Sequence, residues 1–77
     1  MAQIILNKLA GEDKSAKVGK ILVKVGQKIQ EGDGLFNAES AKGNFLVKSE
    51  YEGTIESILI EEGRQVKIGE AIAEIDG

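Results

Sequence analysis

VGKILVKVGQKIQEGDGL, residues 18–35, returns later in the chain as IESILIEEGRQVKIGEAI, residues 55–72. A shift of 37 residues lays 16–39 over 53–76 without a gap. Val18 then falls on Ile55, Ile21 on Ile58, Val23 on Ile60 and Gly26 on Gly63. Ile29 falls on Val66, Gly32 on Gly69, Asp33 on Glu70 and Leu35 on Ile72, and Glu39 over Asp76 closes the match. Self-similarity held in register over this length reads as an internal duplication. Each copy has the order strand, glycine turn, short strand, a turn of the form Gly-acidic, and strand. One copy alone has too little apolar surface for a core and leaves sheet edges open. Two copies packed about a pseudo-two-fold axis remedy both.

The rest of the chain is also β in character. No window of eleven or more residues keeps apolar positions at helical spacing without an interrupting glycine. Ten glycines punctuate the sequence, and between them lie the runs IIL (4–6), ILVKV (21–25), FLV (45–47), TIESILI (54–60) and AIAEI (71–75). Alternation predicts that Ile21, Val23 and Val25 share one strand face, as do Ile58 and Ile60. Short strands at regular spacing predict a small all-β sandwich or barrel. Its expected core is Val18, Ile21, Val23, Ile29, Leu35, Val47, Ile55, Ile58, Ile60, Val66 and Ile72, with Glu61-Glu62-Gly63 an exposed turn.

Composition narrows the chemistry. A chain of 77 residues forms one small domain that buries only roughly 60% of its unfolded surface. It contains neither cysteine nor histidine, which excludes disulfides, cysteine- or histidine-based zinc sites and a cysteine nucleophile. Thirteen acidic residues against ten basic, a single arginine and three aromatics argue against nucleic-acid binding. No phosphate-binding loop is present, and Gly32-Asp33-Gly34 does not continue into a dinucleotide fingerprint. The acidic neighbours Glu12-Asp13 and Glu61-Glu62 would point to opposite faces of a strand, which disfavours joint acid–base work. An activity of its own is therefore not expected. The apolar run near the N-terminus is three residues long, too short for a signal-peptide core or a membrane span, so a cytoplasmic, membrane-free protein is the expectation.

One lysine among nine stands apart. AESAKGN, residues 38–44, lies between the end of the first copy at Glu39 and the start of the second at Gly53. Ser40-Ala41-Lys42-Gly43 suits a type I β-turn, with Ser favoured first and Gly fourth. Phe45 and Val47 then begin a return strand, which puts Lys42 at the exposed tip of a hairpin. An amine in solvent stays protonated near neutral pH and is a poor general base. It is well placed to be modified by another protein, although an ordinary lysine in a polar turn has the same local appearance.

The stretch ESAKGNFLVKSEYEG resembles the attachment hairpin of the lipoyl and biotinyl carrier domains, the lipoyl kind in particular. The matching string is Glu39-Ser40-Ala41-Lys42-Gly43, with Gly26 sixteen residues before the lysine and Gly53 eleven after it. Gly32-Asp33 with Leu35, and Phe45, Val47 and Ser49, are similar to the family's second turn and return strand. The likeness runs from Ile4-Ile5-Leu6 to Ile75. Biotinyl relatives typically flank their lysine with methionine, whereas the neighbours here are Ala41 and Gly43 and the only methionine is Met1. The chain departs from the pattern in three places. Ala41 replaces a common Asp, Asn7, Lys48 and Glu50 stand where prolines are common, and Ala16 faces Gly53 in the repeat.

The resemblance implies a flattened barrel-sandwich of two four-stranded sheets related by a pseudo-two-fold axis. It implies a non-catalytic, monomeric carrier, lipoylated on Lys42 by a lipoate ligase or lipoyl transferase. Glu39 would tell that enzyme which lysine to take, with Ser40, Ala41 and Gly43 beside it. Gly26, Gly53 and Gly43 would act through backbone geometry, by positive φ or close approach. The lipoyl arm would shuttle acyl groups among the decarboxylase, acyltransferase and dihydrolipoamide dehydrogenase components of a 2-oxo acid dehydrogenase complex. The alternatives are a biotinyl carrier of a biotin-dependent carboxylase and an unmodified β interaction module. Residues 1–77 are expected to form one such domain, with half-repeats 16–39 and 53–76 and an attachment hairpin at 38–47. That domain is expected within a longer multidomain polypeptide, a free-standing carrier being the other option.

Overall fold

The structure, a computed structural model, describes residues 2–9 and 11–77. Its eight strands are β1 (Ala2–Ile5), β2 (Ser15–Ile21), β3 (Lys28–Ile29), β4 (Gly34–Ser40), β5 (Gly43–Lys48), β6 (Gly53–Ile58), β7 (Gln65–Lys67) and β8 (Ala71–Asp76). There is no helix among the described residues. Two four-stranded sheets, ordered β1-β8-β6-β3 and β5-β4-β2-β7, are antiparallel throughout. The body is elongated, 33 × 20 × 17 Å. This is the all-β sandwich expected from the alternation and turn spacing.

The sheet orders are images of one another: β5, β4, β2 and β7 stand where β1, β8, β6 and β3 stand. The hydrogen bonds repeat with the same 37-residue shift. Val18 N donates to Arg64 O (2.7 Å) as Ile55 N does to Gln27 O (2.9 Å). Gly63 N donates to Val18 O (2.7 Å) as Gly26 N does to Ile55 O (2.8 Å). Leu22 N to Leu35 O (2.8 Å) matches Leu59 N to Ile72 O (3.0 Å). Even the acidic turn caps correspond, since Gln30 N donates to Asp33 Oδ2 and Lys67 N to Glu70 Oε1. Each half therefore lends strand partners to the other, and the core forms only when both are present.

Seven of the eleven expected core residues are buried: Val18, Ile29, Leu35, Val47, Ile55, Val66 and Ile72. The remaining four, Ile21, Val23, Ile58 and Ile60, are partly buried and pack against that core. They are two repeat-related pairs at one end of the sandwich, where the strands leave the sheets. Ile4, Leu6, Leu9, Ala16, Phe36, Ala38, Ala73 and Ile75 complete the interior. The expected strand face Ile21-Val23-Val25 needs correction. β2 ends at Ile21, a turn closes with Gln27 N donating to Lys24 O, and Val25 is left 62% exposed. Alternation cannot extend past the last ladder hydrogen bond, because beyond it nothing holds successive side chains on opposite faces.

Candidate functional site

The β4–β5 hairpin carries the lysine. Its ladder runs from Phe36 opposite Val47 through Asn37–Leu46, Ala38–Phe45 and Glu39–Asn44 to Ser40–Gly43. Only Ala41 and Lys42 lie between the strands, so Lys42 is at the apex. Ala38 and Val47 are buried and Phe45 is half-buried, which anchors the hairpin in the core to within a few residues of its tip. The tip itself, residues 41–44, is exposed.

Backbone geometry explains the turn. Among the described residues none other than glycine has positive φ, so Ala41 and Lys42 cannot form the primed turns usual in two-residue hairpins, nor type II. Negative φ at both agrees with the type I turn expected from Ser and Gly at its ends. Such a turn twists against the strands and is corrected by a following residue in the left-handed region. Gly43, with φ 117°, is that residue. Ser40 ties the loop internally: its Oγ accepts from Lys42 N (3.3 Å) and donates to Gly43 O (3.2 Å).

Lys42 extends from this tip across the connection between β1 and β2. A Cβ added at Gly11 would meet Lys42 Nζ at 3.3 Å. Among the described residues no carboxylate lies within 4.0 Å of the amine; the ion pair there is Arg64–Glu61, in the exposed turn before β7. Glu39 is exposed on the outer face of β4, directly opposite Lys17 of β2. Its carboxylate rests over Gly19, whose hypothetical Cβ would stand 2.9 Å from Glu39 Oε2.

The expected site residues thus separate into two groups. Glu39, Ser40, Ala41, Lys42 and Gly43 are gathered on the hairpin. Gly26 and Gly53 belong to the other sheet's β3–β6 region, where Gly53 pairs with Ile29 and Gly26 N bonds Ile55 O. A Cβ at Gly53 would come within 2.9 Å of Asp76 O, so close backbone approach demands the glycine. Gly11 and Gly19, which touch Lys42 and Glu39, were not singled out from the sequence. Their spacing from the lysine carries no signal, because only the folded chain brings the β1–β2 connection and β2 against the hairpin.

Chemically the arrangement offers one exposed primary amine at the tip of a core-anchored hairpin, with the carboxylate of Glu39 three residues before it in the chain. Among the described residues no group of three potential metal ligands occurs.

Comparison with known proteins bears on family and fold. The family described as "Biotin-requiring enzyme" matches residues 4–75. The dihydrolipoyllysine-residue acetyltransferase component of the pyruvate dehydrogenase complex of Mycoplasma capricolum is 36% identical over 59 residues, covering 77% of this chain and 14% of that protein. The dihydrolipoyllysine-residue succinyltransferase component of the 2-oxoglutarate dehydrogenase complex of Staphylococcus saprophyticus is 30% identical over 73 residues, covering 95% and 17%. The chain therefore spans a small part of these relatives' length. Among solved structures, the lipoyl domain of the 2-oxoglutarate dehydrogenase complex of Azotobacter vinelandii superposes with TM-score 0.69 at 21% identity, covering 96% of both chains. The urea carboxylase of Kluyveromyces lactis superposes with TM-score 0.73 at 23% identity, covering 97% of this chain and 7% of that one. At these identities the superpositions show a shared fold.

Proposed function

The chain belongs to the biotin/lipoyl attachment family, and on that footing we propose that it is a lipoyl carrier domain modified on Lys42. The observation that carries this is the exposed Lys42 amine at the apex of a core-anchored two-residue turn, with Glu39 three residues before it. Lipoate is favoured over biotin because Ala41 and Gly43, not methionines, flank the lysine. The dihydrolipoyllysine acyltransferase components among its relatives point the same way.

In this reading the domain has no catalysis of its own. A lipoate ligase or lipoyl transferase removes the Lys42 proton in its own site. The free amine then displaces the activating group from an activated lipoyl carboxyl, and the lysine's charge is lost in the amide. Glu39 marks the correct lysine, while Ser40, Ala41 and Gly43 set the shape of the tip that the enzyme meets. Gly26 and Gly53 contribute by fixing the frame that holds it. Lipoate bound there supplies a redox-active dithiolane on a long arm for acyl transfer. The hairpin's part is to hold the point of attachment steady while leaving the arm free, so that tethering raises the effective concentration at each partner site. Those partners are the decarboxylase, acyltransferase and dihydrolipoamide dehydrogenase components of a 2-oxo acid dehydrogenase-type complex, reached by a monomeric cytoplasmic domain. Residues 1–77 form one carrier domain of two half-repeats within a longer polypeptide.

Intact mass tests the reading. Co-expression with a lipoate ligase and lipoate adds one lipoyl group to the parent and none to Lys42→Arg or Lys42→Ala. An unmodified parent, or transfer to another lysine, overturns it. Biotin with a biotin ligase, in the same assay, leaves the mass unchanged if the lipoyl assignment is right.

A further inference from the structure

Gly19 occupies the interior of β2, where glycine weakens a strand by about 0.5–1 kcal/mol relative to alanine. Its presence there calls for a cause. Backbone conformation is not one, since its φ is not positive. The β-bulge between Val18 and Ile21 is not one either, because β6 has the equivalent bulge between Ile55 and Ser57 without a glycine. The 37-residue shift sets Glu56 of β6 at the equivalent place, and β6 pairs with β8 as β2 pairs with β4, Thr54 opposite Asp76 as Lys17 is opposite Glu39. Glu56 is exposed, so this position of the fold accepts a long side chain. The half that bears the lysine has glycine where the other half has glutamate.

What lies above the position accounts for the difference. A Cβ at Gly19 would stand 2.9 Å from Glu39 Oε2, 3.2 Å from its Cδ and 3.0 Å from the Asn37 carbonyl oxygen. Contacts below about 3.0 Å require something to move, and the Glu39 carboxylate, the free end of a flexible side chain, moves most easily. The glycine also forms the floor of a shallow depression bordered by Lys17, Lys20, Glu39 and Glu62, so the carboxylate lies down on β2 instead of standing away from the sheet.

We propose that Gly19 is a positioning residue for the modification of Lys42. It keeps open the space in which the Glu39 carboxylate lies, and so fixes the distance and direction from that charge to the amine at the hairpin tip. This rests on the reading of Lys42 as the modified lysine and Glu39 as its marker. A side chain at this position lifts the carboxylate off β2 and also presses on the Asn37 carbonyl, so the fold bears part of the cost and the enzyme that reads the charge bears the rest.

The test combines ligase kinetics with side-chain NMR. Gly19→Ala is expected to lower the thermal midpoint modestly, through the Asn37 carbonyl, while kcat/KM for lipoylation of the folded protein falls about tenfold, the lower end of what one hydrogen bond to a charged group is worth. Glu39→Ala should lose at least as much. The double variant should be no worse than Glu39→Ala alone, because Gly19 acts only through that carboxylate. Additive losses, or a Gly19→Ala variant modified as fast as the parent, overturn the proposal. In the parent, NOEs from Glu39 Hγ to Gly19 Hα are expected; their absence overturns it whether or not the variant folds. A parent that no lipoate ligase modifies sinks the carrier reading instead, and the NOEs still decide where the carboxylate lies. If Glu39→Ala is modified at the parent's rate, the marker role fails and the positioning role with it.

Discussion

Asn7 Nδ2 donates to Glu50 Oε1 over 2.6 Å, and the two residues hold the same place in the two halves of the molecule. The equivalence follows from the residues just before them. Leu6 N donates to Glu70 O and Leu6 O accepts from Gly69 N, while Ser49 N donates to Asp33 O and Ser49 O accepts from Gly32 N. Asn7 and Glu50 therefore meet across the pseudo-two-fold axis, joining β1's exit to β5's. Both groups are exposed, which limits the strength of the bond. A double-mutant cycle with Asn7→Ala and Glu50→Ala, followed by urea denaturation, is expected to give a coupling of about 0.5–1 kcal/mol. A coupling near zero would show that solvent replaces the bond without loss.

Leu6 and Ser49 are themselves a mismatched pair, both buried but one apolar and one polar. Ser49 is tolerated because its hydroxyl donates to Tyr51 O (2.6 Å) and accepts from Tyr51 N (3.1 Å). Ser49→Ala leaves those part-buried backbone groups unpaired and should cost about 1–2 kcal/mol. The expected sign is a lower urea midpoint with an unchanged m-value; an unchanged midpoint would mean that water satisfies the turn.

Gly53→Ala sets a methyl group against the Asp76 carbonyl, with 2.9 Å available. Both partners are backbone, so relief requires the end of β8 to shift. A loss of about 1–3 kcal/mol is expected, as for overpacking, seen as a lower thermal midpoint. The repeat-related Ala16 is already buried against the core, and Ala16→Gly should by contrast cost about 1 kcal/mol through strand propensity and lost packing.

Gly43 affects the site more than the frame. Its φ of 117° is one that a side chain makes costly, by about 1–3 kcal/mol. Relief is available locally, because the tip is exposed and only the turn must change. Gly43→Ala is therefore expected to keep most of the protein's stability yet slow lipoylation of Lys42 severalfold, checked by mass spectrometry over a time course. Parent-like modification would show that the ligase tolerates a reshaped turn.

The fold was legible in one dimension wherever the repeat holds its spacing. Glycines and branched residues kept in step over 16–39 and 53–76 exposed the duplication, and with it the strand order of each half. Lys42 stood out because it falls in the join between the copies. β1 and β5 were not recognised as counterparts because the offset there grows to 43 residues, and an ungapped shift of 37 passes over them. For the same reason Ile4 and Leu6 were missed as core. The Val25 error came from running alternation past the end of a ladder.

By itself the sequence determined the all-β class, the two-copy architecture, the hairpin and the lysine at its apex, since each depends on local turn chemistry or on a regular period. Tertiary structure alone decided what stands next to what. Gly19 beneath Glu39 and Asp76 over Gly53 depend on hydrogen-bond register between strands far apart in the chain, and Gly11 beside Lys42 and Asn7 against Glu50 on how the connections pack across that frame. A single-residue slip of that register would turn those side chains to the other face, and only the packed core of both halves together holds it in place.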